Sequence, residues 1–186
     1  MQAPIAISLM VDDGAPVNPM FFQDPPYERH LLIPNALARD FADLCDEYGV
    51  RGKFSHMLAF GPVRGPSVAW RNPETGQTVV SIPAITADPF WDTQMPASTT
   101  QRAARAAAKA GVDVLLSADG RTGRLPEVIA QGCPATILTH WQSLYAEGTC
   151  AGLWGLERLF RRLRQRYGDD LEWVTCSELA EQAAKG

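Results

Sequence analysis

Residues 5–14 read Ile5-Ala6-Ile7-Ser8-Leu9-Met10-Val11-Asp12-Asp13-Gly14, an apolar run that ends in two carboxylates and a glycine. A short apolar run rich in β-branched residues and closed by glycine is typical of a buried strand that ends at a sheet edge. In α/β folds the chemistry gathers at the carboxyl ends of the strands. Asp12 and Asp13 are therefore either candidate catalytic groups or the capping residues of an Asx-type turn, and the local pattern allows both interpretations.

Length and composition indicate an ordinary globular protein. The 186 residues are predicted to form a single domain (1–186), with 46% apolar and 20% charged residues. A net charge of −4 gives no reason to expect a nucleic-acid partner. No stretch approaches the roughly 18 apolar residues of a membrane span. The N-terminus lacks the features of a signal peptide, so we expect a cytoplasmic protein with four reduced cysteines.

Strand and helix signals alternate at both ends of the chain, which predicts a parallel sheet or barrel. Strands are predicted at 5–11, 52–55, 78–82, 112–116, 135–139 and 171–175, and helices at 35–48, 100–110, 125–131, 153–167 and 177–184. Residues 56–76 are rich in Gly and Pro and show no helical pattern. This stretch is either a long surface loop or the place where a segment is absent, with the junction after Ser55.

Four stretches, in this order, resemble the motifs of the polysaccharide deacetylase superfamily (NodB homology, carbohydrate esterase family four). They are residues 9–14, 49–55, 135–140 and 173–179. The first is similar to the family's opening Asp-Asp motif, the second to its second strand, the third to its strand that ends in histidine, and the fourth to its closing strand and helix. Each match is short, and their order within the βα pattern carries the resemblance.

The resemblance implies a distorted (β/α) barrel that removes an acyl group from the nitrogen of a carbohydrate or a related small molecule. Asp12 matches the family's catalytic base, Asp13 its metal-binding carboxylate and His140 its general acid. A divalent cation, most often zinc, would polarise the amide carbonyl and activate water. Histidine suits the acid role because its ordinary pKa lies near neutrality. The alternative for His140 is a structural histidine that follows a strand.

The metal ligands depart from the family pattern. The family completes its metal site with an HxxxH pair, whereas this sequence has only His30, His56 and His140, and none has that spacing. One carboxylate alone is a poor transition-metal site. Three explanations stay open: a segment that carries HxxxH is absent after Ser55, His30 and His56 converge from separate loops, or the protein has lost its metal. We favour the first, because the missing motif and the missing βα units fall in the same place.

Three further residues are candidates for substrate binding. Trp141 follows His140 and is predicted to form a wall of the substrate site. Trp91 lies in an aromatic loop and either lines the pocket or anchors local packing, since aromatic faces pack well on sugar rings. Arg71 superficially matches the arginine of a family motif that orients the catalytic aspartate, although the following residues favour an ordinary turn.

The sequence therefore predicts a metal-dependent hydrolase of the polysaccharide deacetylase type that cleaves a carbon–nitrogen bond in an amide. Its expected partner is a carbohydrate or small-molecule substrate rather than a nucleic acid or a membrane. The rival prediction is a catalytically silent barrel that binds carbohydrate and has lost the metal. In that case the strands that carry Asp12 and His140 persist only as scaffold.

Overall fold

The computed structural model describes residues 4–12, 35–54, 68–71, 73–76, 78–82, 84–94 and 100–185. Its helices are α1 (Asn35–Tyr48), α2 (Gln101–Leu115), α3 (Arg124–Ala130), α4 (Trp141–Tyr145), α5 (Ala151–Tyr167) and α6 (Cys176–Lys185). Its strands are β1 (Ile5–Asp12), β2 (Gly52–Phe54), β3 (Val68–Arg71), β4 (Thr78–Ser81), β5 (Ala135–His140) and β6 (Leu171–Trp173). Short 3₁₀ turns lie at Trp91–Gln94, Ala146–Gly148 and Gly168–Asp170.

Strand β1 is the centre of a parallel sheet. It pairs with β5 over residues 7–12, with β2 over residues 9–11 and with β6 over residues 5–7. Because the β5 pairing overlaps both of the others, β2 and β6 must share the opposite edge of β1. Strands β3 and β4 form a separate antiparallel pair. The predicted α/β class with a parallel sheet is confirmed, whereas the closed barrel is not shown by the strands described.

The sheet is buried on both faces, as is typical of parallel sheets covered by helices. Alternate side chains of β1 and β5 join one hydrophobic core with side chains of α1, α2 and α5. From the strands this core takes Ile7, Leu9, Val11, Ala135 and Ile137, all at most 2% exposed. Full burial of a large apolar side chain contributes about 1.5–3 kcal/mol. This core therefore holds β1 and β5 together.

The strand predicted at 112–116 is wrong, because α2 continues through almost all of it. Gly111 does not end the helix. A Cβ atom at Gly111 would lie 1.9 Å from the carbonyl oxygen of Pro89, so the glycine permits close packing within the helix. Val112 is fully buried and Val114 is 55% exposed, although β alternation would place both on the same face.

The middle of the chain contains a hairpin that the sequence analysis missed. Strand β3 was not predicted, whereas β4 confirms the strand predicted at 78–82. Residues 73–75 form the turn between them, which agrees with the turn favoured for this stretch. The predicted junction after Ser55 lies outside the described residues. Among the helices that are described, none is long and apolar enough to cross a membrane.

Candidate functional site

The two predicted catalytic residues end neighbouring strands. Asp12 is the last residue of β1 and His140 the last residue of β5, and the two are register partners in the parallel ladder. Adjacent strands lie about 4.8 Å apart, so the backbones of the two residues are direct neighbours. The fold therefore brings the predicted base and the predicted acid to the same edge of the sheet.

A buried aspartate holds the imidazole of His140. The Oδ2 atom of Asp88 lies 2.9 Å from Nδ1 of His140 and also accepts the His140 backbone N–H at 3.0 Å. The side chain of Asp88 is 2% exposed and that of His140 is 16% exposed. A carboxylate oxygen can only accept, so the bond to Asp88 favours the tautomer with its proton on Nδ1, whereas the Ser143 backbone N–H also faces the His140 side chain. Nε2 is consequently the ring nitrogen that can exchange a proton with a substrate.

Asp88 is fully hydrogen-bonded although it is buried. Its Oδ1 accepts from the backbone N–H of Phe90 at 2.8 Å and from Oγ1 of Thr139 at 3.3 Å. Its Oδ2 accepts from Oγ of Ser143 at 2.5 Å, in addition to the two bonds from His140. A buried carboxylate is tolerated when it has such partners. Asp88 is therefore built to orient His140.

Asp88 and Ser143 were not among the predicted site residues. Asp88 precedes a proline, which is typical of turn initiation, and its bond to the Phe90 N–H is indeed an Asx-type turn. The turn pattern therefore accounts for Asp88 without any functional role. Its contact with His140 spans 52 positions, and only the tertiary fold reveals it.

Trp91 lies beside the acid candidate, which the sequence did not predict, and its role in lining a pocket stays a prediction. Its ring meets the imidazole of His140 edge to face, with 5.5 Å between the ring centroids. The 3₁₀ turn that begins at Trp91 is fixed by Thr93, whose Oγ1 lies 2.7 Å from the carbonyl oxygens of Phe90 and Ser143. An aromatic ring is thus held next to the imidazole by a rigid turn.

The other two substrate candidates lie in different surroundings. The Trp141 ring packs edge to face against Phe41 of α1, with 5.2 Å between centroids, and contacts the core. Arg71 is exposed at the end of β3, and its hairpin packs against α6. His140 instead lies at the carboxyl end of β5. The structure thus brings Trp91 to His140, packs Trp141 into a helix interface and places Arg71 on the hairpin.

The predicted metal ligands fall where the structure gives no description. Asp13, His30 and His56 lie outside the described residues. Within the described residues, no group of three or more His, Cys, Asp or Glu could hold a metal ion. The described residues therefore do not supply a metal site, and zinc with its ligand Asp13 stays a prediction.

Comparison with known proteins identifies no relative of this chain. The chain has no significant match to a family model, to a curated protein or to a solved structure. The residues at the carboxyl ends of β1 and β5 are therefore the basis for any functional proposal.

Proposed function

We propose that this protein is a hydrolase of the polysaccharide deacetylase type that cleaves a carbon–nitrogen bond in an amide. The observation that carries the proposal is the register pairing of Asp12 with His140 beside a buried aspartate. The same proposal includes the distorted (β/α) barrel, of which the parallel strands around β1 would form one part.

Each residue has a distinct role in this reaction. Asp12 would accept a proton from the water molecule that attacks the acyl carbon. His140 would donate a proton from Nε2 to the amine nitrogen as the carbon–nitrogen bond breaks, and the products are a carboxylic acid and a free amine. Asp88 would stabilise the positively charged imidazole and hold Nδ1, as a carboxylate behind a catalytic histidine does.

A divalent metal, most often zinc, belongs to the proposal through the family resemblance. When bound, it would polarise the acyl carbonyl, with Asp13 as its carboxylate ligand. The described residues do not complete this site, so no step of the reaction is derived through the metal. Elemental analysis of the purified protein tests this part separately, and we expect about one divalent ion per chain.

The substrate we propose is an N-acylated carbohydrate or a related small molecule. Trp91 supports a ring-shaped substrate, because aromatic faces pack well on sugar rings and this ring lies next to His140. The substrate-wall role of Trp141 stays a prediction, and its contact with Phe41 favours a packing role instead. Arg71 also stays a predicted binding residue.

The decisive experiment measures acetate release from N-acetylated chito-oligosaccharides by the zinc-loaded protein. Positioned acid–base groups contribute about 10²–10⁴-fold, so Asp12→Asn and His140→Ala should each lower kcat by that amount. Asp92→Asn is the control, because Asp92 is exposed on the same turn as Trp91. Unchanged kcat in both variants would exclude the assigned roles. Sugar binding without turnover and without metal would favour the silent barrel.

A further inference from the structure

The hydroxyl of Ser143 lies at the centre of the contacts around His140. It is completely buried in α4. Its Oγ is 2.5 Å from Asp88 Oδ2, 2.9 Å from the His140 carbonyl oxygen, 3.2 Å from Thr139 Oγ1 and 3.4 Å from the His140 backbone nitrogen. The proposed reaction assigns no role to this serine.

The number of hydrogens available determines to which acceptor the Ser143 hydroxyl donates. Ser143 has one hydrogen to donate, and the shortest contact is with the carboxylate, where a charge-assisted bond is strongest. Its lone pairs then face the His140 backbone N–H. The single Thr139 hydrogen goes either to Ser143 Oγ or to Asp88 Oδ1, and the contact of Ser143 Oγ with the His140 carbonyl oxygen receives no hydrogen. Asp88 Oδ2 therefore receives three donors, the Ser143 hydroxyl, the His140 Nδ1–H and the His140 backbone N–H, and the hydroxyl is the one donor that does not come from His140.

Ser143 is itself held by contacts that do not involve Asp88. Its carbonyl oxygen lies 2.7 Å from Thr93 Oγ1. Helix α5 packs so closely here that a Cβ atom at Gly152 would lie 2.1 Å from the same carbonyl oxygen. The serine is thus a rigid point from which Asp88, and through it the imidazole, is aligned.

We propose that Ser143 is a positioning residue for His140. Its hydroxyl keeps the Asp88 carboxylate on Nδ1, so that the neutral imidazole has its proton on Nδ1 and Nε2 is the basic nitrogen. The use of Nε2 as a proton donor to a leaving amine rests on the proposed function. The alignment of the His140 imidazole by Ser143 does not rest on the proposed function, and it is measured without any substrate.

The test is the tautomer of His140, read from imidazole ¹⁵N chemical shifts above the pH range in which the ring titrates. The chain has three histidines, so His140→Gln assigns the signals. We expect a protonated Nδ1 in the parent protein and a mixture of tautomers in Ser143→Ala. Thr139→Val is the matched control. It removes the neighbouring hydroxyl, which lies 3.3 Å from Asp88 Oδ1 and 3.2 Å from Ser143 Oγ, but keeps the bond from Ser143 to Asp88 Oδ2, so it should keep the parent tautomer.

An unchanged tautomer in Ser143→Ala would overturn the proposal, and so would an equal change in Thr139→Val. If Ser143→Ala does not fold, Ser143→Cys replaces it, because the thiol fills similar space and donates weakly; it must then show the mixed tautomer. With a confirmed substrate, Ser143→Ala should lower kcat about 10-fold and leave KM unchanged. An absence of hydrolysis in the parent protein would refute the proposed function while the ¹⁵N result still decides the role of Ser143.

Discussion

At the scale of single residues, Gln94 is a buried amide that finds no partner among the described residues. Its side-chain nitrogen and oxygen make no hydrogen bond in the described structure, and the residue is 5% exposed. A buried polar group without a partner costs about 1–3 kcal/mol. Methionine has a similar length and no such groups, so Gln94→Met should stabilise the protein by about that amount in urea unfolding.

Gln182→Met serves as the control for this change, because Gln182 is exposed on α6. It should leave the free energy of unfolding within about 0.5 kcal/mol of the parent value. A loss of stability in Gln94→Met would mean that the Gln94 amide makes hydrogen bonds that the substitution removes.

Glu147 illustrates backbone strain close to the site. Three non-glycine residues within five positions, Ala146, Glu147 and Cys150, have φ angles of 49°, 54° and 51°. The left-handed conformation costs about 1–2 kcal/mol per residue, and glycine relieves this cost at the expense of a more flexible unfolded chain. Glu147→Gly should therefore gain about 0.5–1 kcal/mol in urea unfolding. Glu147→Ala is the control, because alanine keeps the backbone strain. An equal gain in the free energy of unfolding in this variant would mean that the effect comes from loss of the glutamate side chain.

Candidate functional residues were predictable from the sequence where they directly follow a strand pattern. Asp12 and His140 each follow an apolar run, so the sequence indicates the sheet edge for both. Asp88 and Ser143 lie in a turn and in a short helix, where local propensity explains them without function. Their role comes from bonds made across the fold, which no local pattern encodes.

At the scale of elements, α6 begins with a reciprocal cap. The backbone N–H and hydroxyl of Thr175 donate to Glu178 Oε2, and the Glu178 N–H donates to the Thr175 hydroxyl. The Thr175 backbone and hydroxyl bonds, together with Arg51, lower the pKa of Glu178 below its ordinary value of 4.5. The cap therefore adds stability above that pH and loses it as acid protonates the carboxylate.

Glu178→Gln tests this cap through the pH dependence of stability. The variant should be less stable than the parent protein at pH 7, and the difference should shrink by pH 3. Urea unfolding at both pH values measures it. Glu181→Gln is exposed on the same helix and should show no such convergence. A difference that is equal at pH 7 and pH 3 would contradict the ionised cap.

Elements with local end signals were predictable, and those defined by packing were not. The helix predicted at 35–48 has the same bounds in the structure, and Thr100 caps α2 as its side-chain type favours. The strand predicted at 112–116 failed because a short apolar run fits a buried helix end equally well. The close contact of Gly111 with Pro89 and the opposite burial of Val112 and Val114 distinguish the two.

At the scale of the whole molecule, helix packing reaches the candidate site through Phe90. The Phe90 ring is fully buried and lies against Gly155 of α5, and the Phe90 backbone N–H donates to Asp88. A Cβ atom at Gly155 of α5 would lie 2.7 Å from the Phe90 ring and 3.1 Å from Ala108 of α2. Because Gly155 has no side chain, the Phe90 ring can pack directly against α5. This contact fixes Phe90, which lies two residues after Asp88.

Gly155→Ala should reveal this coupling by a cost that depends on Phe90. In the parent protein the methyl group overpacks against the fully buried ring, which should cost about 1–3 kcal/mol. In a Phe90→Leu background the nearest ring atom is gone, and the cost should fall to that of the remaining contact with Ala108 at 3.1 Å. The double-mutant cycle in urea measures a coupling energy of about 1–3 kcal/mol. Additive effects would mean that the ring is not the contact that excludes a side chain at this position, and that α5 does not set the placement of Asp88 through Phe90.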